Sequence, residues 1–402
     1  MPNSHNVLYL SYDGLTDPLG QSQILPYLKG LCTEGYHFHV ISFEKQKFFE
    51  PGKSTIERAI EEEGITWYPQ QYHKQPPIFS TLFDLRKMYR LAHDIVVKHD
   101  IKMVHCRSYP PGLIGLKLKK KFGVKFLFDI RGFWANERVD GEIWDLSNPI
   151  YKKIYQYFKR KEIEMMTEAD HIISLTHAGK EEIVSGRLFE GKSEGIDADK
   201  ITVIPCAVDL ELFDPRKIKK EKQLALKSKL GLDATKEVFI YLGSLGTWYL
   251  LDEMLLYFKE MLKEEPISKF LFVTKDDPEV IYYACDRLNV SRDQVVITSS
   301  NREQVPLHLS IGTKGIFFIK PAYSKKASSA VKMGEMLAME LDIVCNDGVG
   351  DVEVFASEAI SLNYQLDVVV IKYDSAQKHL EAYTLNHALA QYIKDYYNLF
   401  IE

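Results

Sequence analysis

Cysteine is scarce: Cys32, Cys106, Cys206, Cys285 and Cys345 are spread over 402 residues, odd in number and without a CxxC pair. That excludes a disulfide scaffold and fits a reducing compartment. Long apolar runs are also missing. Strand-like stretches such as Ile316–Ile319 and Val368–Ile371 fall far short of the roughly 20 residues that span a bilayer as a helix. The apolar start Val7–Leu10 is interrupted at once by Ser11, Tyr12 and Asp13, so no signal peptide is expected. Neither sign of charge dominates: 51 Lys+Arg against 56 Asp+Glu leave a formal net charge of −5. A strongly basic chain of the kind that coats nucleic acid is thereby excluded, and no nucleic-acid partner is expected. HExxH and His/Cys clusters at metal-ligand spacing are absent, and the 12 His are scattered, so no metal site is expected.

What is present is a soluble globular balance, 46% hydrophobic and 27% charged, at a length that suggests two or three domains. Residues 1–205 hold 28 Lys+Arg and 27 Asp+Glu, so the acidic excess lies in the remainder. The front half carries two cationic stretches, Lys117, Lys119, Lys120, Lys121, Lys125 and Lys152, Lys153, Lys159, Arg160, Lys161. They read as solvated helix faces or as contacts for an anionic acceptor or an acidic membrane surface.

Short β-branched or aromatic runs alternate with longer amphipathic stretches. Strands are expected at Val7–Tyr12, His37–Phe43, Ile65–Pro69, Met103–Arg107, Lys125–Ile130, His171–Leu175 and Ile201–Ile204. After a break at Asp209–Pro215 and a charged helix at Lys217–Leu230, strands resume at Val238–Gly243, Lys269–Thr274, Gln294–Thr298, Gly315–Ile319, Asp342–Asn346 and Ala359–Leu362. Parallel strands need crossover helices, so two successive βα runs imply an α/β protein of two doubly wound, Rossmann-like parallel sheets. Ser375–Phe400 reads as one or two terminal helices. Ligands of such sheets sit beyond the carboxyl ends of the strands, and with two domains the natural site is the cleft between them.

Four strand-to-helix junctions carry chemistry. Ser11–Gln23, with Gly14 and Gly20, leads a strand into a helix, a geometry whose unpaired amides cradle anions; the alternative is that the glycines only make turns. Asp129-Ile130-Arg131-Gly132-Phe133-Trp134-Ala135-Asn136-Glu137 follows a buried-strand signal with groups that are expensive to bury unless paired, so they should line an opening. There Trp134 can stack on a sugar ring while Glu137 holds hydroxyls; Asp129 with Arg131 can instead be a structural ion pair. Gly243-Ser244-Leu245-Gly246-Thr247 is a second candidate phosphate cradle. Finally, Lys320–Ala338 places Lys320, Lys325, Lys326, Ser328, Ser329, Lys332 and Glu335 around a helix start, with Ser328 or Ser329 as its cap and Lys332–Glu335 otherwise an ordinary i,i+3 surface pair. His105 and His177 lie at strand ends, where a satisfied structural histidine is the plainer reading.

In this order the motifs resemble the GT-B nucleotide-sugar glycosyltransferases of family 4, or group 1. Val203-Ile204-Pro205-Cys206-Ala207-Val208-Asp209-Leu210-Glu211-Leu212-Phe213 is similar to the family's interdomain "IPNGVD…F" segment, and Lys332-Met333-Gly334-Glu335-Met336-Leu337-Ala338 to its donor helix. The resemblance implies two Rossmann-like domains facing across a cleft: residues 1–206 for the acceptor and 207–379 for a nucleoside-diphosphate sugar, with helices at about 380–402 able to pack back on the first. It implies transfer of a hexose-type sugar with retention to a glycan or lipid-linked acceptor, in cell-surface polysaccharide or lipopolysaccharide synthesis. No permanent cofactor is implied. Location would be cytoplasmic, at the inner face of the cytoplasmic membrane, with peripheral membrane contact. Donor binding is expected from Gly20, Gly243, Ser244, Lys320, Lys326, Ser328, Ser329, Lys332 and Glu335; acceptor binding from Trp134 and Glu137; catalytic roles from Asp129, Arg131 and His105.

The chain departs from the family in two places. Gly243–Leu251 lacks the usual Arg and Lys, and Ala327 stands where an E-x7-E pair would begin. Lys320, Lys325, Lys326 or Lys332 can compensate. A non-catalytic nucleotide-sugar binder and a GT-B nucleotide-sugar epimerase are the alternatives.

Overall fold

A computed structural model describes residues 5–61, 63–76, 78–356, 358–360 and 367–401. The chain divides into two units. One runs to Pro205 and also takes Lys326–Ser328 and the stretch from Leu385; the other takes Cys206–Lys325 and Ser329–Thr384.

The first unit follows β1 (His5–Ser11), α1 (Pro18–Gln23), α2 (Leu25–Cys32), β2 (Tyr36–Glu44), α3 (Gln46–Ile60), β3 (Ile65–Gln71), α4 (Phe79–Lys98), β4 (Met103–Arg107), α5 (Tyr109–Phe122), β5 (Lys125–Asp129), α6 (Trp134–Asp140), α7 (Pro149–Glu168), β6 (His171–Ser174), α8 (His177–Val184) and β7 (Ile201–Val203). All seven strands are parallel, in the order β3-β2-β1-β4-β5-β6-β7. β4 is buried at every residue, as expected for a strand covered on both faces by crossover helices.

The second unit contains α9 (Lys220–Lys229), β8 (Val238–Leu242), α10 (Leu251–Glu264), β9 (Lys269–Val273), α11 (Pro278–Leu288), β10 (Val295–Thr298), α12 (Val305–Leu309), β11 (Lys314–Ile316), α13 (Val331–Ala338), β12 (Asp342–Asn346), α14 (Val352–Phe355), β13 (Glu358–Ile360), β14 (Val368–Ile371) and α15 (Tyr373–Leu380). Its strand order is β10-β9-β8-β11-β12-β14-β13. This sheet is not wholly parallel: β14 runs antiparallel to both β12 and β13. The strand expected at Ala359–Leu362 begins at Glu358, and residues 361–362 lie outside the described ones.

The last helix, α16 (Leu385–Ile401), belongs to the first unit. Its buried residues Ala388, Tyr392, Asp395, Tyr396 and Leu399 recur at helical spacing and form one stripe. Tyr392 meets Tyr27 of α2 with ring centroids 5.4 Å apart, and Tyr396 meets Tyr36 at 5.1 Å.

Candidate functional site

In the first unit the strand order reverses between β1 and β4, so the ends of these strands frame the crevice where ligands of open α/β sheets bind. β1 ends in the loop to α1, and that loop is closed by Glu44, the last residue of β2. Its buried carboxylate accepts from Leu15 N (2.8 Å), Thr16 N (3.1 Å), the Thr16 hydroxyl (2.5 Å) and the Ser42 hydroxyl (2.5 Å). Two amides offered by the sequence as an anion cradle are therefore occupied by the protein's own anion. Neither glycine simply makes a turn. A Cβ on Gly20 would stand 2.1 Å from the Gly14 carbonyl oxygen, and one on Gly14 would stand 2.5 Å from Glu44 Oε2. At Gly20 the obstacle is backbone, so that position demands glycine through close approach; at Gly14 it is the end of the Glu44 side chain.

β4 and β5 end in a buried charged cluster. Asp129 Oδ2 lies 3.7 Å from each of His105 Nε2, Arg107 Nη1 and Arg131 Nη1. Neither Asp129 oxygen reaches solvent. Burial raises its carboxyl pKa, but Arg131, His105 and Arg107 together outweigh that and hold it below the usual range. His105 Nδ1 is 2.6 Å from the Tyr396 hydroxyl, and the ring sits against Tyr9 at 4.6 Å. Burial lowers the His105 pKa, with Asp129 acting against it. The expectation that this run lines an opening is thus corrected for Asp129, which is enclosed together with His105 of β4. Arg131 adopts φ 54°, a backbone region sparsely populated by non-glycine residues.

Trp134 opens α6 half-buried, within 4.7 Å of Phe158 and 5.3 Å of Trp144, and the Arg138 guanidinium lies 4.9 Å from its ring centre. The ring is held by an aromatic cluster and stays partly open to solvent. Glu137 is half-buried, 3.5 Å from the Ser328 hydroxyl. Lys326 pairs with buried Glu182 at 2.9 Å, and its carbonyl oxygen accepts from the Thr176 hydroxyl at 2.6 Å.

In the second unit the order reverses between β8 and β11, and the loops beyond these strands gather the rest. Gly243 follows β8 at φ 110°. The Tyr241 hydroxyl donates to Ser244 O (2.7 Å), while Asp276 accepts from the Ser244 hydroxyl (3.1 Å) and from Leu245 N (2.5 Å). Once again a side-chain carboxylate fills the loop.

Lys332, in the first turn of α13, points back at this loop. Its amine lies 3.6 Å from the ring centre of Tyr249 and 4.0 Å from that of Tyr241, and 3.5 Å from where a Cβ on Gly243 would be. No hydrogen-bond acceptor meets it among the described residues. Burial pushes its pKa well below the ordinary lysine range, with Glu335 and Asp276 acting against the shift. Glu335, one turn on, is buried and paired with Arg302, not with Lys332. Burial raises its carboxyl pKa although Arg302 opposes this. The i,i+3 surface pair is therefore corrected: both side chains are inside. The Ser cap is also corrected, because Ala330 occupies the N-cap without a side-chain bond and the Ser329 hydroxyl accepts from Cys206 N at 3.1 Å. Lys320 is half-buried, and Lys325 lies buried with its amine 3.6 Å from the Trp248 ring centre.

Four contributors escaped sequence reasoning. Arg107 falls inside an expected strand, Glu44 and Asp276 just beyond the expected strands His37–Phe43 and Lys269–Thr274, and Arg302 stands 33 positions before its partner with no local motif.

The two Rossmann-like units and their topology make this a GT-B protein. Solved structures of the same fold include sucrose-phosphate synthase from Thermosynechococcus elongatus (14% identity, TM-score 0.70, 99% of each chain) and Anabaena HepE in complex with UDP (12%, 0.67, 98% of this chain and 100% of that one). Residues 23–212 match the family model for Glycosyltransferase Family 4. That stretch, just under half of the chain, is similar to the family. A curated relative, D-inositol 3-phosphate glycosyltransferase of Segniliparus rotundus, is 24% identical over 194 residues, which cover 47% of this chain and 39% of that protein.

Proposed function

We propose that the protein transfers a sugar from a nucleoside diphosphate to a glycan or lipid-linked acceptor, with retention at the anomeric carbon. The observation that carries this reading is Lys332: a buried amine without a hydrogen-bond acceptor, aimed at the positive-φ glycine beyond β8. A donor diphosphate supplies the missing anion. Lys332 then takes the place of the cations absent from Gly243–Leu251, and the uncapped first-turn amides of α13 add their dipole. The Ser244 hydroxyl turns from Asp276 to a phosphate oxygen. Glu335 accepts from the ribose diol, held in place by Arg302, a positioning residue. Lys320, Lys326, Ser328 and Ser329 complete the donor set. Charge building on the leaving diphosphate is the principal load on the site, so these pre-placed donors supply the catalysis and no protein nucleophile is needed.

The first unit takes the acceptor, with Arg131, Trp134 and Glu137 on its side, while Asp129 and His105 orient Arg131 from within. Work would occur at the inner face of the cytoplasmic membrane, in cell-surface glycan synthesis. The family match and a structural neighbour solved with UDP support this reading.

Thermal unfolding with uridine, guanosine, thymidine and adenosine diphosphates and their sugars tests it. One base at a hundred times its dissociation constant should stabilise the protein by about 2.7 kcal/mol, with or without magnesium. A Glu335→Ala variant should lose most of that shift. Full donor affinity in the variant, or no shift in the parent with any nucleotide, overturns the site.

A further inference from the structure

Three of the large apolar side chains most open to solvent stand together on the first turns of α4: Phe79 (72% exposed), Leu82 (58%) and Phe83 (59%). The same exposed face continues as Arg86, Lys87 and Arg90, at helical spacing i, i+3, i+4, i+7, i+8, i+11. Among the described residues none of these three cations has an ion-pair partner, whereas four of the ten in the cationic stretches marked in the sequence are paired within the unit. Lys119 pairs with Asp170, Lys120 and Lys161 with Glu164, and Lys159 with Glu162.

The opposite face of α4 is anchored. Ser80, Asp84, Met88, Ala92, Ile95 and Val96 are buried in the unit. Asp84 accepts from the Tyr12 hydroxyl (2.9 Å) and His73 N (3.1 Å), and lies 2.6 Å from His73 Nδ1. The apolar triplet is thus fixed to the loop after β1, and because α4 starts where β3 has ended, it stands at the carboxyl-end rim of the sheet.

We propose that this face of α4 is a docking surface for an anionic membrane. Phe79, Leu82 and Phe83 enter the headgroup boundary, where aromatic side chains partition well, and Arg86, Lys87 and Arg90 meet lipid phosphates. Charge complementarity selects the occupant: an apolar tip backed by unpaired like charges is repelled by basic surfaces, gains no attraction from neutral ones and is satisfied by an acidic bilayer. The inference deepens the lipid-linked acceptor of the proposed function by naming the surface that meets the lipid. It places the acceptor's lipid beside the crevice of the first unit.

Vesicle co-sedimentation of the full chain, without nucleotide or acceptor, tests it separately from sugar transfer. The protein should pellet with phosphatidylcholine vesicles containing phosphatidylglycerol, not with phosphatidylcholine alone, and less at high salt. Replacing Arg86, Lys87 and Arg90 together by Glu should lower partitioning by about fivefold per cation lost, on the order of a hundredfold in all. Phe79→Ser, Leu82→Ser and Phe83→Ser together should also release the protein. Lys220→Glu, Lys222→Glu and Lys229→Glu on the exposed α9 should change binding far less. Failure of the parent to pellet, α4 variants that bind like the parent, or an equal loss in the α9 control would each overturn the proposal. The nucleotide-induced thermal shift should persist in the α4 variants, so a fault in the transfer reading would show there and not in the vesicles.

Discussion

Lys332 is a buried base whose folded-state pKa lies below its unfolded one. Between those two values the unfolded chain binds the extra proton, so stability rises with pH, by at most about 1.4 kcal/mol per unit for one group. Lys332→Met should therefore unfold at higher urea than the parent at neutral pH and lack that slope, while losing diphosphate affinity. Urea midpoints at neutral and alkaline pH check the first part, calorimetric titration with the diphosphate the second. A stabilised but donor-blind variant is what a strained functional cation produces. The side chain's place at a helix start was legible in its motif, where Lys, Ser and Glu converge. Its burial was not, because Tyr241 and Tyr249, which roof it, carry no sign in sequence that their rings face the same point. The Arg302–Glu335 pair was hidden for a related reason: residues 33 apart meet only through the sheet.

At the scale of elements, the loop from β1 to α1 is held by one carboxylate and two glycines. Gly20→Ala forces a Cβ onto backbone atoms of Gly14 and Leu15 that cannot swing aside, and should destabilise the protein by about 1–3 kcal/mol in urea unfolding. Beyond β8, Asp276 holds the Ser244 hydroxyl and Leu245 amide that a diphosphate would claim. Asp276→Asn should then bind diphosphate roughly tenfold tighter, the size of one competing hydrogen-bonded charge, as read by calorimetric titration. Weaker binding would mean that Asp276 shapes the loop for the donor. Most strands were readable because buried parallel strands are dense in apolar residues; β4 and β12 fall at the limits expected for them. α3 was not, since it buries only Ile56 and Ile60 and carries Pro51 inside. Nor was the direction of β14: Val368–Ile371 is as apolar as a parallel strand, and its reversal follows from pairing partners alone.

For the whole molecule, two repeats of the βα rhythm were enough to read two Rossmann-like units, while the GT-B class came from the resemblance of motifs such as Val203–Phe213 and Lys332–Ala338. The membership of the last helix was beyond periodicity, because an amphipathic stripe says that a helix packs and not on what. α16 supplies Tyr392, Tyr396 and Leu399 to the first unit, each large buried side chain worth about 1.5–3 kcal/mol. Deleting residues from Leu385 onward should leave the amides of β1 and β4 open to hydrogen exchange while those of β8 and β9 stay protected. The His105–Tyr396 contact closes a gap of 291 positions. On the ribosome, the tyrosines that finish the first unit emerge only after every residue of the second has been made. The half of the protein synthesised first must therefore wait with an unfilled groove along α2, exposed to chaperones and proteases, and is the last to become native.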